Sequence, residues 1–239
     1  MSGHSKWATT KRQKFAADAK RSSAFTRLAR AITMAAQELG GDVDTNFKLR
    51  LAIDKAKAVN MPKDNIERAI KRGTGEADGQ QIAAVVYEAF GPGGSAFIIE
   101  TLTDNRNRTV ADIKHILNKH EGSLGGPNSV AWMFSKRGVI DITNATDPEA
   151  VELAAIEAGA DDVQANDDTV TVFTDLSKLQ AVKKKLEDGG LAVAEVTIAM
   201  IPNEPLHLDA GAESQAKELY DALTDSEDVN DIYTNIAGA

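Results

Sequence analysis

Residues 87–109 read YEAFGPGGSAFIIETLTDNRNRT, and three parts of that stretch set the fold. Tyr87 to Phe90 and Ser95 to Leu102 are β-branched and aromatic enough to form strands. Between them Gly91, Pro92, Gly93 and Gly94 predict the turn of a hairpin, since glycine accepts positive φ at no steric cost. The polar run Asp104-Asn105-Arg106-Asn107-Arg108-Thr109 follows, and then Val110, Ile113, Ile116 and Leu117 recur at helical spacing. A hairpin therefore ends in a polar loop at a helix N-terminus, where backbone N–H groups attract anions. Two readings of that loop stay open. In one, Arg106, Asn107 and Arg108 contact a phosphate. In the other, Asp104 or Asn105 caps the helix and Arg106 pairs with an acid across a domain boundary.

Upstream of the hairpin the chain is basic. Residues 1–73 carry 16 Lys and Arg against 7 Asp and Glu, a balance of +9, whereas the remainder carries 11 against 29, a balance of −18. Such asymmetry suggests a polyanion-binding head on a solubilising body. The first 21 residues, MSGHSKWATTKRQKFAADAKR, interleave Lys6, Lys11, Arg12, Lys14, Lys20 and Arg21 with Trp7 and Phe15. Cations neutralise phosphates and aromatic rings stack on bases, so Lys6, Trp7, Lys11, Arg12, Lys14, Lys20 and Arg21 are candidate nucleic-acid contacts. The first ten residues show no helical period, and the arm is expected to be mobile when free.

After the arm, Phe25, Leu28, Ile32, Ala35 and Leu39 make one apolar stripe, with Arg27 and Arg30 off it, and Gly40-Gly41 ends the helix. A second helix from Asp44 or Thr45 buries Leu49, Ala52, Ile53, Ala56 and Val59. A third opens at Pro62 and buries Ile66, Ala69 and Ile70. These three form a bundle, and Gly73 to Gln80 reads as a linker.

Downstream, a helix is expected from Arg106 to His120 and a strand from Ser129 to Phe134, with Lys136-Arg137-Gly138 breaking the pattern. The next segments are strand Val139–Thr143, helix Pro148–Ala158, strands Val163–Ala165 and Val170–Phe173, helix Leu176–Leu186 and strand Ala192–Ile201, the βαββαβ order of a ferredoxin-like unit. A last helix, Ala212–Leu223, and a strand, Asp228–Thr234, complete the unit that the hairpin begins. The expected fold class is α+β in three domains. Residues 1–78 form the basic arm and helical bundle, 79–134 with 203–239 a split α/β domain, and 135–202 a ferredoxin-like domain inserted into it.

Several chemistries find no support. The chain has no cysteine, hence no disulfide, thiolate metal site or thiol nucleophile. His115 and His120 are five apart, off a common helical face, and no other ligands accompany them. GPGGS lacks the Lys-Ser/Thr of a phosphate-binding loop and lies between two strands, and there is no G-x-S-x-G elbow. Neither a catalytic residue nor a metal, cofactor or small-molecule substrate is expected, and no apolar run approaches the ~20 residues of a membrane span.

GHSKWA at 3–8, DAKR at 18–21, YEAFGPGG at 87–94, TDNRNRT at 103–109, SVAWMFSKRGVI at 129–140 and MIP at 200–202 together resemble the YebC/PmpR family, over essentially the whole chain. The resemblance implies a helical N-terminal domain and two α/β domains, one inserted in the other. It also implies a non-enzymatic regulator of gene expression, either a probable transcriptional regulator binding DNA or a ribosome-associated translation factor that binds ribosomal RNA and relieves stalling at proline-rich stretches. The family has a mitochondrial branch; this chain starts directly on the motif, without a presequence, and is expected to be a bacterial cytoplasmic form.

Overall fold

The computed structural model describes residues 4–78, 81–143, 147–166 and 169–238, with side chains described from Ser22 onward save that of Asn166. Helix α1 runs from His4 to Leu39, α2 from Phe47 to Ala58 and α3 from Lys63 to Gly73. Their shared core holds Ile32, Ala36, Leu49, Ile53, Ala56, Ile66 and Ala69. The backbone of the arm is helical from His4, continuous with the rest of α1, although its first ten residues show no helical period. No glycine or proline falls between His4 and Leu39, and the arm's Ala, Lys, Arg and Gln are good helix formers even without an apolar period. The start of α2 also differs. Asn46, not Asp44 or Thr45, is its cap, because its Oδ1 accepts the Leu49 N–H at 3.0 Å. The buried Asn46 amide then donates to the carbonyls of Ala35 and Gly40, both at 2.8 Å, tying the end of α1 to the start of α2.

The hairpin pairs β1 (Ala83–Phe90) with β2 (Ala96–Thr103), and the turn residues Gly93 and Gly94 take φ of 66° and 78°. Helix α4 (Arg106–Lys119) follows, then β3, which is only Ser123–Leu124. Near the end of the chain α7 (Ala210–Thr224) leads into β8 (Val229–Thr234). The first sheet is ordered β3-β1-β2-β8, with the C-terminal strand antiparallel to β2. Helices α4 and α7 pack on one face around Phe97, Ile99, Ile113, Leu117, Leu219 and Leu223.

The second sheet is built from β4 (Phe134–Thr143), β5 (Asp162–Asn166), β6 (Thr169–Thr174) and β7 (Val193–Pro202), covered by α5 (Pro148–Ala158) and α6 (Leu179–Asp188). Its order, β5-β6-β4-β7, antiparallel throughout, is that of a ferredoxin-like unit. The expected break at Lys136-Arg137-Gly138 is absent: β4 runs through it, with Lys136 opposite Met200 and Arg137 opposite Ala199. Gly138 serves packing here, since a Cβ would lie 2.7 Å from Leu179 Cδ1. The strand expected at Ser129–Phe134 is instead a 3-10 turn, Ala131–Met133, leading into β4. From α2, Phe47 and Leu51 pack against the core of the inserted domain, so the bundle touches both α/β domains.

The bundle depends on one close crossing. A Cβ on Gly73 would lie 2.4 Å from the Thr33 carbonyl oxygen and 2.6 Å from Ala36 Cβ. Backbone cannot yield as a side chain does, so Gly73→Ala should destabilise by about 1–3 kcal/mol, measured as a fall in Tm. Gly126→Ala is the control, because nothing lies within 4 Å of that added methyl, and its Tm should hold.

Candidate nucleic-acid interface

The loop after β2 is shaped by its own side chains. Asn105 is extended, with φ −144°, and its side chain accepts the Arg108 N–H at 3.1 Å, which makes it the cap of α4. The Thr103 hydroxyl accepts the Asn105 N–H at 2.9 Å. Arg106 and Asn107 are exposed on the first helical turn. The positive end of the α4 dipole and the free first-turn N–H groups point the same way, so cation, amide and backbone donors share one small surface.

Arg108 is held differently. Its Nη2 donates to Asp104 Oδ1 at 2.9 Å and to both carboxylate oxygens of Asp228, at 2.9 and 3.1 Å. Asp228 stands just before β8 and is buried, with 6% of its surface exposed. The Thr109 hydroxyl lies 2.7 Å from Asp228 Oδ2 and 2.7 Å from Thr103 Oγ1. A hydroxyl has one proton, and the charged acceptor is the stronger one, so Thr109 donates to Asp228 and accepts from Thr103. From the other side, Arg30 Nη1 of α1 donates to Asp228 Oδ1 at 2.8 Å and to the Glu227 carbonyl at 2.8 Å. One turn earlier, Arg27 Nη1 donates to the Thr224 carbonyl at 2.8 Å, a cation on the negative end of α7. Burial alone would push the Asp228 carboxyl up, but the hydrogen bonds from Thr109 and Arg108 and the charge of Arg30 outweigh it and hold it below the usual carboxylate range. The same contact with Asp228, more than any other, raises the Arg108 guanidinium.

The expectation that Arg106 pairs with an acid across a domain boundary is not met: Arg106 is exposed, Arg108 pairs with Asp104 and Asp228 of its own domain, and the ion pair that crosses the boundary is Arg30–Asp228. The helix that carries residues 6–21 reaches the loop through Arg30, which shares Asp228 with Arg108. The side chains of Lys6, Trp7, Lys11, Arg12, Lys14, Lys20 and Arg21 lie outside the described residues; their backbone belongs to α1. Sequence reasoning missed the pins Arg27, Arg30 and Asp228. Arg27 and Arg30 had one signal, their place off the apolar stripe. Asp228 had none, as one acid among 36. Among the described residues no group of three or more His, Asp or Glu could hold a metal ion, and no helix is long and apolar enough to cross a membrane.

Comparison with known proteins points one way along the whole chain. Residues 5–76 match the family described as the TACO1/YebC protein N-terminal domain, and residues 82–236 match the TACO1/YebC second and third domain. A probable transcriptional regulatory protein of Prosthecochloris aestuarii is 49% identical over 239 residues, covering 99% of this chain and 95% of its own length. One from Desulfosudis oleivorans, with the same name, is 48% identical over 98% of this chain and 96% of its own. The crystal structure of a conserved hypothetical protein from Aquifex aeolicus superposes with a TM-score of 0.83 at 36% identity, over 92% of this chain and 91% of that one.

The junction predicts a pH signature. Because the folded carboxyl of Asp228 is depressed, its stabilisation is complete above the unfolded pKa of about 3.9 and is lost as pH falls through the folded value. Asp228→Asn should lower Tm at pH 7 by the equivalent of about 1–3 kcal/mol. The gap between wild type and variant should close as pH drops below about 4; a gap that does not change with pH would remove Asp228 from this role.

Proposed function

The chain belongs to the TACO1/YebC family, and on that footing we propose that it is a nucleic-acid-binding regulator of gene expression, acting on DNA in the cytoplasm and without catalytic turnover. The names of its relatives support a regulatory role. The observation that carries the reading is the shared carboxylate: Arg30 and Arg108 meet on Asp228, which ties the helix that carries the basic arm to the capped loop. At 1.5 Å per residue, α1 is a rod of about 54 Å, long enough to follow a nucleic-acid backbone over several phosphates. Arg106 and Asn107, exposed beside the α4 N-terminus, supply a guanidinium fork and an amide to a phosphate oxygen. The acidic remainder of the chain repels nucleic acid elsewhere and confines it to this surface.

Full-length protein titrated against duplex DNA and against ribosomal RNA fragments, by fluorescence polarisation at several salt concentrations, tests the reading. Affinity should fall by roughly 0.7–0.9 log units per log unit of salt for each phosphate neutralised. Neutralising Lys11, Arg12 and Lys14 should flatten that slope. The two arginines of the loop should separate. Arg106→Ala should weaken binding by about 1.5–3 kcal/mol for each charged hydrogen bond lost and leave Tm unchanged, whereas Arg108→Ala should lower Tm. Tighter binding to ribosomal RNA than to DNA would reassign the target to the ribosome. No salt-sensitive binding to either would end the proposal.

A further inference from the structure

Strand β1 has a free side that β3 covers only in part. It pairs with β2 along its whole length, Ala83 to Phe90, but with β3 only at Ala89 and Phe90. The hydrogen-bonding groups of successive residues in an antiparallel strand point alternately to its two sides. The Glu88 carbonyl accepts the Gly125 N–H at 2.7 Å on the β3 side. Val86 and Ala84, two and four residues back, therefore turn their N–H and C=O groups the same way. Neither has a backbone partner there among the described residues. Ala84 is exposed, and Val86 is exposed at 57%.

Outer strands are usually guarded against further pairing by a charge, a proline or a bulge. Asp162 stands in β5, Glu195 and Pro202 in β7, and Asp231 in β8. β1 reads AAVVYEAF, and its one charge is already engaged. The Glu88 carboxylate accepts the N–H groups of Asn128, Val130 and Ala131, in the turn before Trp132, at 2.7, 2.7 and 2.8 Å. Ala84 and Val86 also border a cavity of about 600 Å³, walled by Leu28 and Met34 of α1 and by Ile198 and Met200 of β7. Free backbone donors and acceptors in strand register match another polypeptide in extended form, and side-chain pockets beside such an edge give the specificity. Charges on the cavity wall are of both signs, Glu100 and Asp231 against Lys55 and Lys136, so apolar side chains suit it better than charged ones. The space takes the side chains of one added strand, whereas a second copy would bring its own sheet and bundle with it.

We propose that the open edge of β1 binds an extended apolar segment of a partner protein as an added strand, in line with β3 and antiparallel to β1. The contact does not rest on the nucleic-acid reading above. Isotope-labelled full-length protein is titrated with the blocked peptide acetyl-Thr-Val-Thr-Val-Thr-Val-amide and with its fully N-methylated counterpart, which has no backbone donor. Amide shifts and hydrogen exchange are followed by NMR. In the free protein the Ala84 and Val86 amides should exchange rapidly, and those of Val85 and Tyr87, which point to β2, slowly. The unmethylated peptide should shift Ala84 and Val86 and slow their exchange into the range of Val85, and the N-methylated one should do neither. Val86→Pro, which deletes an N–H that no ladder bond uses, should abolish the effect. Val86→Lys, which leaves the backbone intact, should weaken it at unchanged Tm. Ala84 and Val86 amides already protected in dilute free protein would mean that the edge is covered, and would overturn the site. Protection that grows with protein concentration alone would assign the edge to a second copy instead, which also overturns it. Equal shifts from the N-methylated peptide, or none from either peptide up to its solubility limit, would end the case for strand addition.

Discussion

The Asp228 carboxylate receives Arg30 from α1 and Arg108 and Thr109 from α4, while the backbone carbonyl of the same residue accepts the Leu102 N–H at 2.9 Å. Taking a carboxylate out of water is costly unless nearly every lone pair finds a donor. Here the carboxylate's donors come from two separate stretches of chain, α1 and α4, so the burial is compensated only in the assembled arrangement. Two guanidinium groups, one from α1 and one from α4, converge on this carboxylate and so tie the two elements to one point. The junction thus does more to specify how the bundle sits on the split domain than to add net stability, which for partly exposed ion pairs is small. Arg27 on the Thr224 carbonyl extends the same seam along α1.

A rod docked at one end transmits that direction along its length. α1 is fixed by α2 and α3 around Ile32 and Ala36 and by the arginine seam on its other side. The course of residues 4–21 therefore follows from contacts made by residues 27–36. The Gly73 approach to the Thr33 carbonyl sets how closely α3 can lie against the rod. Small residues at the crossing and large cations at the seam divide the two tasks of packing and orientation.

Much of this was legible in the sequence. Period and turn chemistry reveal the hairpin, the capped helix after it, the bundle and the βαββαβ insert, since each is specified by local spacing. The errors are those of local reading. Lys136-Arg137-Gly138 reads as a break because glycine weakens strands, and only the approach of Leu179 explains why a glycine stands there. The arm reads as irregular because its helix lacks an apolar face, which is the signal that periodicity detects. The candidate site was half visible. Arg106, Asn107 and Arg108 stand out as a motif, but Arg108 and Asp228 are 120 residues apart, and no spacing rule links them. Glu88 with the turn before Trp132, 40 to 43 residues away, is the same case.

The interrupted order of the split domain has a bearing on synthesis. Strand β2 lies between β1 and β8, and the whole insert is made between the hairpin and β8. As the chain emerges from N- to C-terminus, the inserted sheet can close on its own partners while β2, rich in Phe97, Ile98 and Ile99, still has an open edge. An unpaired apolar edge is a hazard, and contacts between distant residues form late. The hairpin face must therefore wait for β8, and the bundle must wait for Asp228 one residue before it. The orientation of the basic rod is thus set late in biogenesis, after both flanking domains have had the opportunity to fold.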